Sequence, residues 1–192
     1  MALQKQKILD VAVGLFSKKG YRATSLDDIA KQLSVSYPSL YYYFKSKNEI
    51  LSEIYRQHYY MLEIQMQEIM KAQSPPREKL KALLVRWIKY ISTSPIAFMV
   101  RVTISEKREL PQRERKKMIE RERQILNSVV QIYEEGVQKG DFIQGDTKLT
   151  CLLLIGACNS IANWYDEKGR LNPDQLAAYS ANLLERIWLV KE

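Results

Sequence analysis

Apolar residues recur at helical spacing along almost the whole chain, and that period confines it to packed helices. Ile8, Val11, Ala12, Leu15 and Phe16 step by three and one and form a single face. No stretch shows the strict alternation of a half-buried strand. The seven Gly and six Pro stand singly, where helices would stop and start. Gly20 follows Lys18 and Lys19 and is the expected left-handed end of the first helix, with Tyr21 folding back on Phe16 as in a Schellman ending. Ser25, with Asp28 three residues on, opens a second helix as a capping box. Ser36 caps a third, with Pro38 in its first turn. Ser46-Lys47-Asn48-Glu49 reads as a full capping box and begins a fourth helix that runs to about Gln73, where Ser74-Pro75-Pro76 stops it. Five more helices are expected over 77–91, 95–107, 111–139, 146–166 and 173–190, punctuated by Pro95, Pro111, Gly140, Asp146 and Asn172-Pro173. The expectation is an all-α fold of about nine helices.

Other features exclude whole classes. The 192 residues suffice for a sizeable core. No apolar run approaches the roughly 18 residues of a membrane span. The start, MALQKQKILD, lacks the apolar core of a secretory signal, so a cytoplasmic location is expected. Cys151 and Cys158 share a helix face, too far apart along one helix for a disulfide, and read as core. His58 is the lone histidine. A structural zinc would need about four ligands, so no metal site is expected. With no Gly-rich phosphate loop and one His for acid–base work, neither an enzyme nor a bound cofactor is expected.

The second and third helices are joined by about three residues, the spacing of a helix-turn-helix whose second helix enters the major groove. Residues 1–50 carry eight basic and four acidic side chains, a local excess suited to a polyanion. The stretch GYRATSLDDIAKQLSVSYPSLYYYFKSKNEIL, Gly20 to Leu51, resembles the DNA-binding signature of the tetracycline-repressor-like (TetR) family. It does so in Thr24-Ser25, Ile29-Ala30, Leu40-Tyr41-x-x-Phe44 and Lys47-x-Glu49-x-Leu51. The resemblance implies a helix-turn-helix domain over 1–47 and a ligand-binding and dimerisation domain over 48–192. It also implies a repressor that binds a palindromic double-stranded operator as a homodimer and lets go when a small molecule binds. Thr24, Ser25, Ser36, Tyr37, Pro38, Ser39, Tyr41, Tyr42, Lys45 and Lys47 are the expected DNA-binding residues. Hydroxyls, cations and helix N-termini suit phosphates, and short side chains at the start of the third helix can approach bases. Phe44 is expected in the core. Lys47 stands at a helix N-terminus, where a cation is electrostatically unfavourable, and a phosphate partner would offset the mismatch. The family often has Gly at position 34, Gly-Thr at 38–39 and His at 43, so the operator does not transfer.

The second half resembles a narrower group, the acyl-CoA-responsive regulators of fatty-acid degradation. The resemblance lies in Asn163-Trp164-Tyr165, in Gly169-Arg170-Leu171-x-Pro173-x-x-Leu176, and in ELPQRERKKMIERERQIL. Residues 101–123 hold nine basic and five acidic side chains, and coenzyme A brings roughly four negative charges that Arg and Lys suit. Tyr60, Ile64, Trp87, Tyr90, Phe98, Arg101, Val102, Arg108, Leu153, Asn159, Asn163 and Trp164 are the candidate ligand residues. Asn159 and Asn163 stand out on an otherwise apolar helix, because a buried amide needs a partner. The alternative is a multidrug-responsive repressor of an efflux pump, which favours acidic, aromatic pockets. Leu152, Gly156, Ser160, Leu176, Leu183, Leu184, Ile187 and Trp188 form the expected dimer interface of two helices per subunit. The long fourth helix links the two domains as a rod, which a ligand near Tyr60 and Ile64 would tilt.

Overall fold

The structure is a computed structural model that describes residues 5–102 and 104–189. Nine α-helices and two short 3₁₀ helices make up the described residues, with no strand among them. The helices are α1 (Lys5–Lys19), α2 (Leu26–Leu33), α3 (Tyr37–Tyr43), α4 (Lys47–Lys71), α5 (Pro76–Thr93), α6 (Pro95–Val102), α7 (Gln112–Gln138), α8 (Thr147–Ser160) and α9 (Pro173–Trp188). The 3₁₀ helices are Ile104–Glu109 and Ile161–Asn163. No described helix is long and apolar enough to cross a membrane.

Two helices are shorter than their periodicity predicts. The sixth is helical as far as Val102, and a 3₁₀ helix runs from Ile104 to Glu109 where the α-helical period is expected to continue. The eighth ends at Ser160, whose hydroxyl bonds the Ala157 carbonyl at 2.7 Å and competes with the helix backbone. The expected Schellman ending also shifts. At Gly20 (φ +88°) a single bond closes α1, from the Gly20 N–H to the Phe16 carbonyl at 3.1 Å, while the Phe16 and Tyr21 rings meet edge to face at 5.1 Å. The full double-bonded Schellman ending lies one helix later. Val35 N–H bonds the Ala30 carbonyl and Ser34 N–H the Lys31 carbonyl, both at 3.0 Å. Ser34 is left-handed there (φ 56°, ψ 40°), a conformation that favours glycine.

Packing divides the chain into two compact units, residues 1–59 with 95–119, and 60–94 with 120–192. The linear division at residue 47 is therefore not the packing division, since α4 and α7 each contribute to both units. In the first unit Ile8, Ala12 and Phe16 of α1, Ile29 of α2, Leu40 of α3 and Ile50, Leu51 and Ile54 of α4 are all buried, with α1 lying against α2 and α6 and α2 against α3. Phe44 joins them. In the second unit α5 lies along α9, and Leu80, Leu84 and Ile88 meet Leu176, Ala177 and Ala181. Cys151 and Cys158 are buried in α8, and burial pushes their thiols up to about 11 and about 12.

Glu185 of α9 is buried and takes Arg77 Nε at 2.6 Å and Lys81 Nζ at 3.0 Å from α5. Burial alone would raise its carboxyl, but the bonds from Arg77 and Lys81 outweigh that and hold it below the usual range. The end of α9 is pinned by the turn after α7, where Ile143 N–H bonds the Trp188 carbonyl at 2.9 Å. The Phe142 ring lies on Gly136, where a Cβ would come within 2.2 Å of it.

Ser34→Gly should stabilise the protein by up to about 1 kcal/mol, the relief of left-handed strain less glycine's extra chain entropy, and Ser34→Val should destabilise it by about 1–2 kcal/mol. Chemical denaturation with an unchanged m value checks both.

Candidate nucleic-acid interface

The start of α2 is built by the expected reciprocal box. Asp28 N–H bonds Ser25 Oγ at 3.1 Å and Ser25 N–H bonds an Asp28 carboxylate oxygen at 2.8 Å. Those bonds to Ser25 hold the Asp28 carboxyl down at about 2. Ser36 Oγ accepts from Ser39 N–H at 3.3 Å and caps α3. The box expected at Ser46 is realised in half. Ser46 Oγ takes Glu49 N–H at 3.2 Å, but the Glu49 carboxylate reaches one residue further back, to Lys45 N–H at 2.7 Å.

From α3, Tyr37, Pro38, Ser39, Tyr41 and Tyr42 are all exposed, and Leu40 alone is buried. Tyr42 is 77% exposed, the Tyr37 and Tyr41 rings stack at 5.9 Å, and Lys45 Nζ sits 4.6 Å over the Tyr41 ring. Aromatic faces and hydroxyls presented together on a seven-residue helix suit a groove of bases and phosphates. Ser25 and Ser36 are exposed too, at the N-termini of α2 and α3.

Two of the expected DNA-binding residues also make bonds within the protein. Thr24 is buried, and its hydroxyl donates to the Gly20 carbonyl at 2.8 Å. Lys47 answers its unfavourable helix position inside the protein. Its Nζ donates to the carbonyls of Tyr21 at 2.7 Å, Arg22 at 3.2 Å and Thr24 at 2.7 Å, and lies 4.4 Å over the Tyr21 ring. All three ammonium protons thus go to the loop between α1 and α2. Tyr21 also donates its hydroxyl to Asn48. Burial first, then the carboxylates of Glu109 and Glu106, push the Tyr21 phenol up to about 12. Burial lowers Lys47 while the same two carboxylates partly restore it. Arg22, which the sequence reading passed over, reaches those carboxylates directly. Its Nη2 is 3.1 Å from Glu109 and its Nε 3.3 Å from Glu106.

With this geometry in place, likeness to known proteins is specific. Residues 8–54 match the family described as bacterial regulatory proteins, tetR family. Residues 73–187 match the tetracyclin repressor-like C-terminal domain. The chain belongs to the TetR family. It is a DNA-binding transcription repressor with a helix-turn-helix domain and a helical C-terminal domain. The fatty acid metabolism regulator protein of Bacillus subtilis is 26% identical over 181 residues, covering 93% of this chain and 91% of that one. The Staphylococcus aureus biofilm operon negative regulator IcaR is 53% identical over 49 residues, 26% of each chain. AibR, solved with isovaleryl coenzyme A and operator DNA, shares the fold at TM-score 0.82 and 21% identity, covering 93% of this chain and 96% of its own.

The candidate ligand residues of this repressor fall in different settings. Trp87 and Asn159 are half-buried and joined, Trp87 Nε1 donating to Asn159 Oδ1 at 3.0 Å, so the α5 and α8 candidates of the second unit do converge. Ile64 and Tyr90 are half-buried as well. Asn163 is exposed, and the buried-amide argument fails for it because α8 ends before reaching it. Trp164 and Leu153 are 60% and 66% exposed, and Tyr60 and Phe98 are exposed too. Arg108 is exposed. The side chains of Arg101 and Val102 lie outside the described residues.

The expected dimer stripe is partly turned inward. Leu176 and Trp188 are buried against their own unit and have no surface for a partner. Leu184 is half-buried, since α9 rotates positions 176, 177, 181, 185 and 188 toward α5. Leu152, Gly156, Leu183 and Ile187 are exposed and Ser160 is half-buried. Leu149, Leu153 and Tyr179 are exposed large apolar residues of the same two helices that the sequence reading left off this face.

Lys47→Met should lower stability by about 2 kcal/mol, because three carbonyls lose a charged donor. A thermal melt decides the point, since a residue acting only on phosphate would leave the midpoint where it is. A second expectation concerns His58 of α4. Burial, and after it the Lys107 ammonium, lower its imidazole from 6.5 to about 4. The unfolded chain then binds the extra proton, so the contribution is intact at neutral pH and drains away as pH falls from 6.5 toward 4. Stability should drop by about 1–2 kcal/mol between pH 7 and pH 5 from this group, and His58→Gln should flatten that part of the profile.

Proposed function

We propose that this TetR-family repressor acts in the cytoplasm as a homodimer on a palindromic operator and is released by an acyl-CoA thioester. The observation that carries the effector is a set of unanswered cations. In the 101–123 cluster, Lys117 pairs with Glu114, Arg121 with Glu63 and Arg123 with Glu120. Arg108, Arg113, Arg115 and Lys116 make no ion pair among the described residues, and they crowd nine positions around the start of α7. Like charges so placed repel, and a polyphosphate ligand removes the repulsion. A fatty acid's single carboxylate would use them poorly, and a cationic drug would add to them. The names of two relatives run the same way, a fatty acid metabolism regulator and a protein solved with isovaleryl coenzyme A.

Dimerisation is supported by the exposed apolar face of α8 and α9, where Leu149, Leu152, Leu153, Tyr179, Leu183 and Ile187 stand in water. A two-fold pair of such helices makes a four-helix interface and sets two recognition helices about 34 Å apart, one DNA turn. A ligand that prefers a different spacing of those helices weakens DNA binding, and DNA weakens the ligand by the same factor.

The reading is tested by titrating the protein–operator complex with palmitoyl-CoA, palmitate and coenzyme A, using a duplex selected by the protein from a random pool. Palmitoyl-CoA should release the protein, with palmitate and coenzyme A at least ten-fold weaker, and Arg113→Gln/Lys116→Gln should raise the concentration needed. Release by a cationic dye, with no acyl-CoA of any chain length active, would transfer the assignment to a multidrug sensor.

A further inference from the structure

The 3₁₀ helix Ile104–Glu109 has three residues per turn, so side chains at i and i+3 share a side. Glu106 and Glu109 are such a pair, and both face Arg22 in the loop between α1 and α2. Glu106 is mostly shielded from water, Glu109 less so, and Arg22 stays largely exposed. The same turn acts on α4, where the Lys107 ammonium bears on the shielded imidazole of His58. The loop that Arg22 belongs to is gripped a second time from α4, by Lys47 on three carbonyls and by Asn48 on the Tyr21 hydroxyl. The loop feeds directly into Ser25, the cap of α2. The orientation of α2 and α3 therefore depends on a short segment held from two sides, with one of the holds supplied by residues more than eighty positions away in sequence.

We propose that Arg22 is a positioning residue for operator binding, and that the 104–109 turn is the strap that holds it through Glu106 and Glu109. The carboxylates fix the guanidinium, the guanidinium fixes the loop, and the loop fixes the start of the helix-turn-helix. Arg22 has no part in the assigned DNA contacts, and neither glutamate is suited to DNA, since each adds negative charge. The strap also contains Arg108, the first of the cations that make no ion pair among the described residues, so a change in that segment reaches the DNA-binding helices without passing along α4.

Charge and position predict opposite signs, which makes the test sharp. Removing two carboxylates from a DNA-binding protein strengthens its attraction to any duplex. Loss of a positioning contact weakens only the specific complex. Glu106→Gln/Glu109→Gln should therefore lower affinity for a selected operator by about three- to ten-fold, the worth of two ion pairs to a largely exposed guanidinium, while affinity for an unrelated duplex stays level or rises. Arg22→Glu should lose operator affinity, and Arg22→Glu/Glu109→Arg, with the wild-type net charge, should recover it to within about two-fold if one pair suffices. Circular dichroism melts accompany each variant, and the glutamine pair keeps the test open should Arg22→Glu fold poorly. Specific and nonspecific affinities rising together in the glutamine pair would overturn the proposal. So would an Arg22→Glu loss that the charge swap does not repair, since that marks Arg22 as a phosphate contact.

Discussion

Three carbonyls in the loop after α1, those of Tyr21, Arg22 and Thr24, point at one ammonium, and the placement of the DNA-binding helices follows from it. Backbone carbonyls in a non-helical loop need donors, and within this loop only the Thr24 N–H is seen to supply one, to the Tyr21 carbonyl at 3.3 Å. Lys47 brings three on one atom. Because Lys47 is the first residue of α4, the contact also fixes the long helix to the loop that leads into α2. The electrostatic penalty of a cation at a helix N-terminus is offset within the fold, by carbonyl dipoles, the Tyr21 ring and the field of Glu106 and Glu109. A lysine that looks like a DNA ligand in the sequence is thereby also a structural fastener.

The second unit depends on a comparable buried charge. Glu185 stands in an otherwise apolar contact between α5 and α9, and removing either cation would leave it partly unanswered at a costly depth. The pair selects one rotation of α9. With Leu176, Ala177, Ala181, Glu185 and Trp188 turned inward, Tyr179, Leu183 and Ile187 must turn outward. The salt bridge and the apolar contacts around it thus fix which apolar residues of α9 face outward. The outward set joins the exposed residues of α8, where Gly156 offers no side chain against close approach.

Much of this was legible in the residues. The 3.6-residue period, the caps at Ser25, Ser36, Asp146 and Asn172, and the stops at Gly20 and Gly140 are local signals, written within a few positions of the feature they specify. The helix-turn-helix was legible for the same reason, as was the outward placement of Tyr37 and Tyr42, whereas Tyr41, read as partly core, is exposed. Errors came where two local signals competed. Ser160 ended a periodic stretch sooner than the apolar pattern implied, and the early end of α8 leaves Asn163 and Trp164 outward.

By itself the sequence determined the class of fold, the order and rough extent of its helices, and the helix-turn-helix, because helix periodicity and capping act over three or four residues. Tertiary structure alone decided which polar groups meet. Arg22 with Glu106 and Glu109, Lys47 with the loop carbonyls, Trp87 with Asn159, and Arg77 and Lys81 with Glu185 join residues from about twenty-five to more than a hundred positions apart. No periodicity records such a pairing. It depends on which helix faces pack together, and burial then leaves each charge or amide only the partner that arrives beside it.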